Sequence, residues 1–221
     1  EVRKSWNLGE DPIASVTGVL ETHHIHVLEV DAGEMFEGLS AVAYDRDQQV
    51  LAAAVVTRKG LPGERQRLSL IHEFAHLVGC ESETAAFRFA AAFLAPASAV
   101  SRELGSKRVF IQQDELFLFK RRYGMSVQAI LYRMRDLGII GETYYRQWCI
   151  EVSRRGWKRQ EPFEIPAEQA TWLHQSVLRV LSEGVLSKEE AEEMVGEEIK
   201  VDLPLSLIQR RAFMRLPLEE R

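Results

Sequence analysis

The sequence predicts an α+β chain, mostly helical, with a small antiparallel sheet beside one metal-bearing helix. Three observations predict it. Residues Ser69-Leu70-Ile71-His72-Glu73-Phe74-Ala75-His76 place a His-Glu-x-x-His pattern inside an apolar run. Three short runs rich in apolar and β-branched residues, 25–30, 39–44 and 50–56, come before it and read as strands. After it, apolar residues recur at three- and four-residue spacing, as in amphipathic helices.

The His-Glu-x-x-His run carries the chemistry. Residues four apart lie on one face of a helix, so His72 and His76 can point two imidazoles at one ion. Glu73 is one step round the helix, within reach of a water at that ion without being a ligand. This is the arrangement of a zinc hydrolase, with two His ligands and a Glu general base. With 6 His and 26 Glu in 221 residues, composition alone yields roughly 0.02 such matches. The competing reading is a buried helix with two satisfied histidines. Leu68, Leu70, Ile71, Phe74, Ala75, Leu77 and Val78 make the helix apolar nearly all round, hence buried. Two imidazoles and a carboxylate on such a helix need partners, because unpaired buried polar groups are costly. A metal supplies that partner. The donor types suit Zn2+, and equally admit Mn2+ or another divalent ion.

Composition bounds the rest. The apolar (46%) and charged (28%) fractions are those of a soluble globular protein. The length suits one large or two to three small domains. The net charge of −5 makes no general case for nucleic acid, but it is uneven. Residues 1–101 carry 8 Lys/Arg and 14 Asp/Glu, residues 102–159 carry 13 and 6, and residues 160–221 carry 7 and 13. The basic middle reads first as a face paired with its acidic flanks, with DNA contact as the alternative. Two cysteines, Cys80 and Cys149, make no disulfide framework and fit a reducing, cytoplasmic setting. No secretory signal opens the chain and no apolar run approaches 18 residues, so no membrane partner is expected. The chain begins at Glu1 instead of Met, which raises the expectation of a segment upstream.

In order along the chain, residues 1–10 are a polar lead-in with one aromatic, Trp6. Asp11-Pro12 reads as a helix start, Asp11 as N-cap, with Ile13, Val16, Val19 and Leu20 at apolar spacing. His24 and His26 would share a face in a strand and form a second metal candidate, but solvated histidines at a strand edge are the simpler reading. Asp45 to Gln48 connects the second and third strands as a hairpin. Lys59 to Gly63 is a loop. Gly79 ends the His-Glu helix, and another helix begins near Glu81 and ends before Pro96.

Residues 106–160 form a helix-turn-helix-like region. Asp114 caps one helix, Gly124-Met125 breaks it, and Ser126 caps the next, which ends at Leu137-Gly138. Arg133 and Arg135 decorate the second helix. A packing module with a solvated basic face is preferred over DNA contact through residues 102–159. Trp157 to Pro166 is a linker by its Pro content. Glu168 to Ser182 is an amphipathic helix, and Ser187 with Glu190 is a capping box opening another, to about Ile199. Pro204 and Pro217 bracket a last segment with Leu205, Leu207, Ile208 and Phe213. The resulting division is 1–105, 106–160 and 161–221.

A catalytic zinc usually takes three protein ligands. Glu83 is the first choice for the third, because it lies in the first turns of the helix that must pack back on the His-Glu helix. Glu81 is the second. Cys80 continues the His72–His76 face, but Gly79 ends the helix before it, and a buried structural Cys is the simpler reading.

Two stretches in tandem resemble a known family. Arg67 to His76 (RLSLIHEFAH), followed by Glu83-x-x-Ala86-x-Arg88-Phe89-Ala90-Ala91-Ala92-Phe93-Leu94-x-Pro96, resembles the ImmA/IrrE metallopeptidases. The opening WNLGEDPI, the strand IHVLEV, Tyr123 to Ser126, Leu137 to Ile140, Gly156-Trp157 and Glu161-Pro162 are similar to further parts of it. The resemblance spans most of residues 5–165. It implies a zincin-like fold, His72, His76 and Glu83 as metal ligands, and Glu73 as general base. It also implies a narrow substrate range. The typical substrate is a repressor-like helix-turn-helix protein, or an antitoxin-like regulator, whose loss switches on stress or mobile-element genes. Phe87 and Ala95 depart from the family's usual Asn and Met, and its Asn after the third strand is not evident. Two other functions remain in view: a metal-binding regulator contacting DNA, and an interaction partner with a vestigial site. The intact Glu73 argues against the last. Tyr44, Arg65, Arg67 and Tyr123 are candidate donors to a reaction oxyanion.

Overall fold

The computed structural model describes residues 1–200. They form two compact units, 1–172 and a second from Leu173 onward. The first contains the helices α1 (Val2–Ser5) and α2 (Val16–Thr22) and the strands β1 (Ile25–Val30), β2 (Gly38–Tyr44) and β3 (Val50–Arg58). Helices α3 (Gly63–Leu77), α4 (Glu83–Leu94), α5 (Ala97–Leu104), α6 (Gln113–Tyr123), α7 (Val127–Asp136) and α8 (Glu142–Arg154) follow. The fold is α+β and zincin-like, with three strands beside the His-Glu helix.

The sheet is mixed and not wholly antiparallel, with order β1-β3-β2. β2 and β3 form the expected antiparallel hairpin, Ala41 opposite Ala54. Its turn is closed by Asp45 Oδ1, which accepts from the N–H groups of Asp47 and Gln49 at 2.8 Å each. β1 pairs with the other edge of β3 in parallel, Val27 opposite Val55. The chain between β1 and β2 therefore passes the end of β3 before turning back. Alternation alone says which side chains share a face, and it is silent on pairing direction.

The start of α2 also differs from expectation. It is capped by Ser15, whose hydroxyl accepts from Gly18 N–H at 3.0 Å, and not by Asp11. The carbonyls of the 11–14 stretch are already spent on arginines. Arg3 donates to Asp11 O and Arg67 to Ile13 O, both at 2.7 Å. The polar lead-in holds the short helix α1, and Trp6 stacks on His23 with centroids 4.0 Å apart.

Helix α3 buries Leu70, Ile71, Phe74 and Ala75 against the sheet and α4. Ala86, Ala90 and Ala91 of α4 are buried, and such small side chains permit close helix approach. The two helices join through Val78 to Ser82, where Gly79 takes φ +96, a conformation that favours glycine. α4 starts at Glu83, capped by the Ser82 hydroxyl accepting from Ala85 N–H. Downstream, α6 is capped by Gln112 in a capping box with Glu115, and not by Asp114. α7 is capped by Ser126 as expected, and Gly124 ends α6 in the left-handed conformation. Leu116, Tyr123, Ile130 and Met134 enter the same core as Leu70 and Phe74.

The stretch after Trp157 is a strap. Glu161 Oε2 accepts from Lys120 Nζ and from Val127 N–H, both at 2.9 Å. Gly63 N–H donates to Ile165 O at 2.8 Å, and Ile165 N–H to Glu64 at 2.9 Å. A Cβ on Gly63 would lie 2.2 Å from Pro166 O, so only glycine allows this approach. The helix expected from Glu168 begins instead at Trp172 (α9, Trp172–Ser182), because Glu168 is bound to α2 and α3.

In the second unit, α9 is followed by α10 (Lys188–Val195). The Ser187–Glu190 capping box is present, but Gly196 in the left-handed conformation stops α10 short of Ile199. Val177, Ala191 and Ile199 form a small core of their own. The expected final segment bracketed by Pro204 and Pro217 lies outside the described residues. No single helix among the described residues is long and apolar enough to cross a membrane.

Candidate metal centre

His72 and His76 lie one turn apart on the side of α3 that meets the start of α4. Glu83 is the first residue of α4, and its carboxylate reaches both rings. Oε2 is 3.0 Å from His72 Nε2 and Oε1 is 3.6 Å from His76 Nε2. The two Nε2 atoms are 3.3 Å apart. Among the described residues this is the one group of three or more potential metal ligands, each offering a ligand atom within 4.8 Å of the others.

The protonation pattern fits a cation. His76 Nδ1 faces the carbonyl of Cys80 at 2.7 Å, and a carbonyl only accepts, so the proton is on Nδ1. His76 Nε2 then carries a lone pair toward its neighbours. Two imidazole nitrogens and a carboxylate gathered this closely need a shared proton or a cation among them. The donors, two nitrogens and a carboxylate, suit a divalent ion. Glu83 is largely exposed and leaves the centre open on one side. His72, by contrast, is 7% exposed, and its Nδ1 has no hydrogen-bond partner. Cys80 thus contributes its carbonyl, an outer contact of the kind that orients ligating imidazoles. Glu81 lies before the helix and outside the group.

Glu73 faces the start of β2. The first residues of β2 meet it closely: a Cβ on Gly38 would lie 3.0 Å from Glu73 Cγ and 3.2 Å from Oε1. Burial holds the Glu73 carboxyl above the ordinary carboxylate value, against the pull of His72, His76 and a hydrogen bond from Ser40. Gly38 and Ser40 were not singled out by sequence, since neither belongs to a motif and both are 33 or more residues from Glu73. Phe87, one turn after Glu83, lays its ring against His72 with centroids 4.2 Å apart.

Other sequence candidates fall elsewhere. His24 sits in the turn before β1 at φ +61, and His26 stacks on Trp172 at 3.9 Å. Arg67 is buried and committed to Glu168 and Ile13 O. The Tyr123 hydroxyl donates to Glu103 at 2.7 Å, and burial with that carboxylate pushes its pKa up to about 12. Neither remains as an oxyanion donor. Arg133 is buried, donating to Ala95 O at 3.2 Å and pairing with Asp136. Arg65, at the start of α3, is half-exposed and pairs with Glu37 at 2.9 Å.

A comparison with curated proteins returns no match. The family model of the IrrE N-terminal-like domain, Peptidase_M78, matches residues 20–135. That range takes in β1 to β3, both metal-centre helices and most of α7. With its paired imidazoles, opposed carboxylate and adjoining Glu73, the chain belongs to this IrrE/ImmA-type metallopeptidase family.

Proposed function

We propose that the protein is a zinc-dependent endopeptidase of narrow specificity. Its substrate in this reading is a DNA-binding repressor or antitoxin-like regulator, and its cut switches on stress or mobile-element genes. The observation that carries the reading is the convergence of His72 Nε2, His76 Nε2 and Glu83 with Glu73 alongside. Those three residues would hold the ion, and Mn2+ fits the same donors. When bound, the ion supplies a Lewis acid for the scissile carbonyl and acidifies water.

The chain's own groups do the rest. Glu73 takes a proton from the attacking water and returns it to the leaving amine. Its raised pKa makes it a stronger base than an exposed carboxylate, and Gly38 and Ser40 hold it in place. β2 is an edge strand, and its start touches Glu73. An extended peptide adding to that edge brings its backbone to the base. The reading places the chain in the cytoplasm, supported by the free thiols Cys80 and Cys149. The alternative of DNA contact through residues 102–159 draws less support, because Arg133 is spent internally.

The test incubates candidate repressor-like helix-turn-helix proteins with the zinc-loaded enzyme and with Glu73→Gln. Cleavage should require metal and disappear in the variant, while zinc content stays the same. Cleavage that survives the substitution, or zinc lost with it, would sink the role given to Glu73.

A further inference from the structure

The two imidazoles of the centre are held differently. His76 turns Nε2 toward Glu83 and is fixed through its other nitrogen, which lies 2.7 Å from the Cys80 carbonyl. His72 also turns Nε2 toward Glu83, at 3.0 Å, but its Nδ1 is buried with no hydrogen-bond partner among the described residues. A ligating imidazole almost always donates its second N–H to a carboxylate, carbonyl or water, and that bond sets the plane of the ring. The last torsion of a histidine side chain has only a broad preference of its own. At His72 some other contact has to set the plane.

Phe87 is placed to do so. It lies four residues after Glu83, one turn along α4 and on the same side of that helix. Its ring meets the His72 ring with centroids 4.2 Å apart and planes tilted by 50°. His76 is further off, with centroids 5.0 Å apart and the rings nearly edge-on at 76°. Phe89 and Phe93 of the same helix pack on each other and on Phe74 in the core. Phe87 stands outside that core and is 44% exposed. Among the described residues, the one aromatic ring it packs on is His72.

We propose that Phe87 is the positioning residue of His72. Its ring, packed on the imidazole where a hydrogen bond at Nδ1 would ordinarily serve, fixes the plane in which Nε2 is presented to the ion. Without it the His72 ring is free to turn about its last torsion, and Nε2 leaves the direction shared with His76 Nε2 and Glu83. The proposal rests on the reading of these three residues as a metal centre and adds what orients one of them.

The test compares the full chain with Phe87→Ala, Phe87→Leu and Phe87→Tyr. Zinc affinity is measured by chelator competition, and the Cε1–H signals of His72 and His76 are recorded by NMR at saturating zinc. Phe87→Ala should weaken zinc binding about tenfold or more, as loss of an outer contact to a ligand does. Its circular dichroism spectrum should match the parent's, because the ring lies outside the core. Its His72 signal should broaden through exchange between ring orientations, while that of His76, still bonded to the Cys80 carbonyl, stays sharp. A general loosening of the two helices would broaden both. Phe87→Tyr keeps the flat ring and should keep the affinity and both sharp signals. Phe87→Leu, apolar but not flat, should recover only part of the affinity. Unchanged affinity or a lost fold in Phe87→Ala, equal broadening of both histidines, full recovery by Leu, or a Tyr variant as weak as Ala would each overturn the proposal. The two readings fail separately. A chain whose zinc binding is absent, or indifferent to His72→Ala, refutes the centre and the proposal with it; one that binds zinc through His72 but ignores Phe87 refutes the positioning role alone.

Discussion

Replacing Glu168 by Ala should unfasten the strap from the helix that carries the histidines. Glu168 Oε2 accepts from the Ser15 hydroxyl at 2.9 Å and from Thr17 N–H at 2.7 Å, and Oε1 accepts from Arg67. The side chains of Glu168 and Arg67 are 12% and 5% exposed. Without the carboxylate, Arg67 keeps only carbonyl partners, at 2.7 Å from Ile13 O and 3.4 Å from Ala14 O and Tyr123 O. Removing one member of a buried pair costs about 3–5 kcal/mol, because the other charge is left uncompensated. At roughly 2–4 °C per kcal/mol for a chain of this size, Tm should fall by roughly 6–20 °C.

The effect should also depend on pH. Burial pushes the Glu168 carboxyl up, but Thr17 N–H, Arg67 and Ser15 outweigh it and hold it below the ordinary value. A group lowered in the folded state stabilises above its unfolded pKa, about 4.3 for Glu, and loses that contribution as pH falls through its folded value. Urea unfolding of both proteins from pH 7 downward checks this. The gap between them should hold to about pH 5 and then shrink, following that titration. A gap under about 1 kcal/mol at pH 7, within the range of exposed pairs, would refute the argument, as would one that stays constant with acidification.

Two further substitutions test the centre itself. Gly38→Ala places a Cβ 2.9 Å from Val56 O and 3.0 Å from Glu73 Cγ. It should cut cleavage by about 10- to 100-fold through misplacement of the base, with zinc content unchanged on elemental analysis; full activity would show that Glu73 tolerates the shift. Glu83→Gln keeps the shape of an exposed side chain but removes its charge. Zinc affinity in chelator competition should fall by more than the about 10–100-fold typical of outer-shell partners, with the circular dichroism spectrum unchanged. Unaltered affinity would remove Glu83 from the donor set.

Much of the centre was legible in sequence because its parts are local. His72, Glu73 and His76 sit on one helix, and helical periodicity alone places them together. Glu83 follows by a short connection broken at Gly79, so the next helix can only start nearby. The Ser126 cap, the Gly124 break and the Ser187 capping box are equally local. The start of α2 was misread because Arg67, more than 50 residues away, takes the Ile13 carbonyl that a longer helix would use. The 157–166 stretch looks like a linker by composition, yet Glu161 and Ile165 bind groups far along the chain.

What the sequence by itself determined is which groups gather at one turn of helix: two imidazoles, a carboxylate between them and a second one shortly after. Its periodicities are those of single elements, so they reach no further than the element that carries them. The tertiary structure decided the rest. It set β1 parallel to β3, brought Gly38 and Ser40 against Glu73, buried Arg133 and Lys120, and stacked Arg135 on Tyr132 and Tyr145. Each of these depends on contacts between distant residues, where pairing and burial are settled by how whole elements pack.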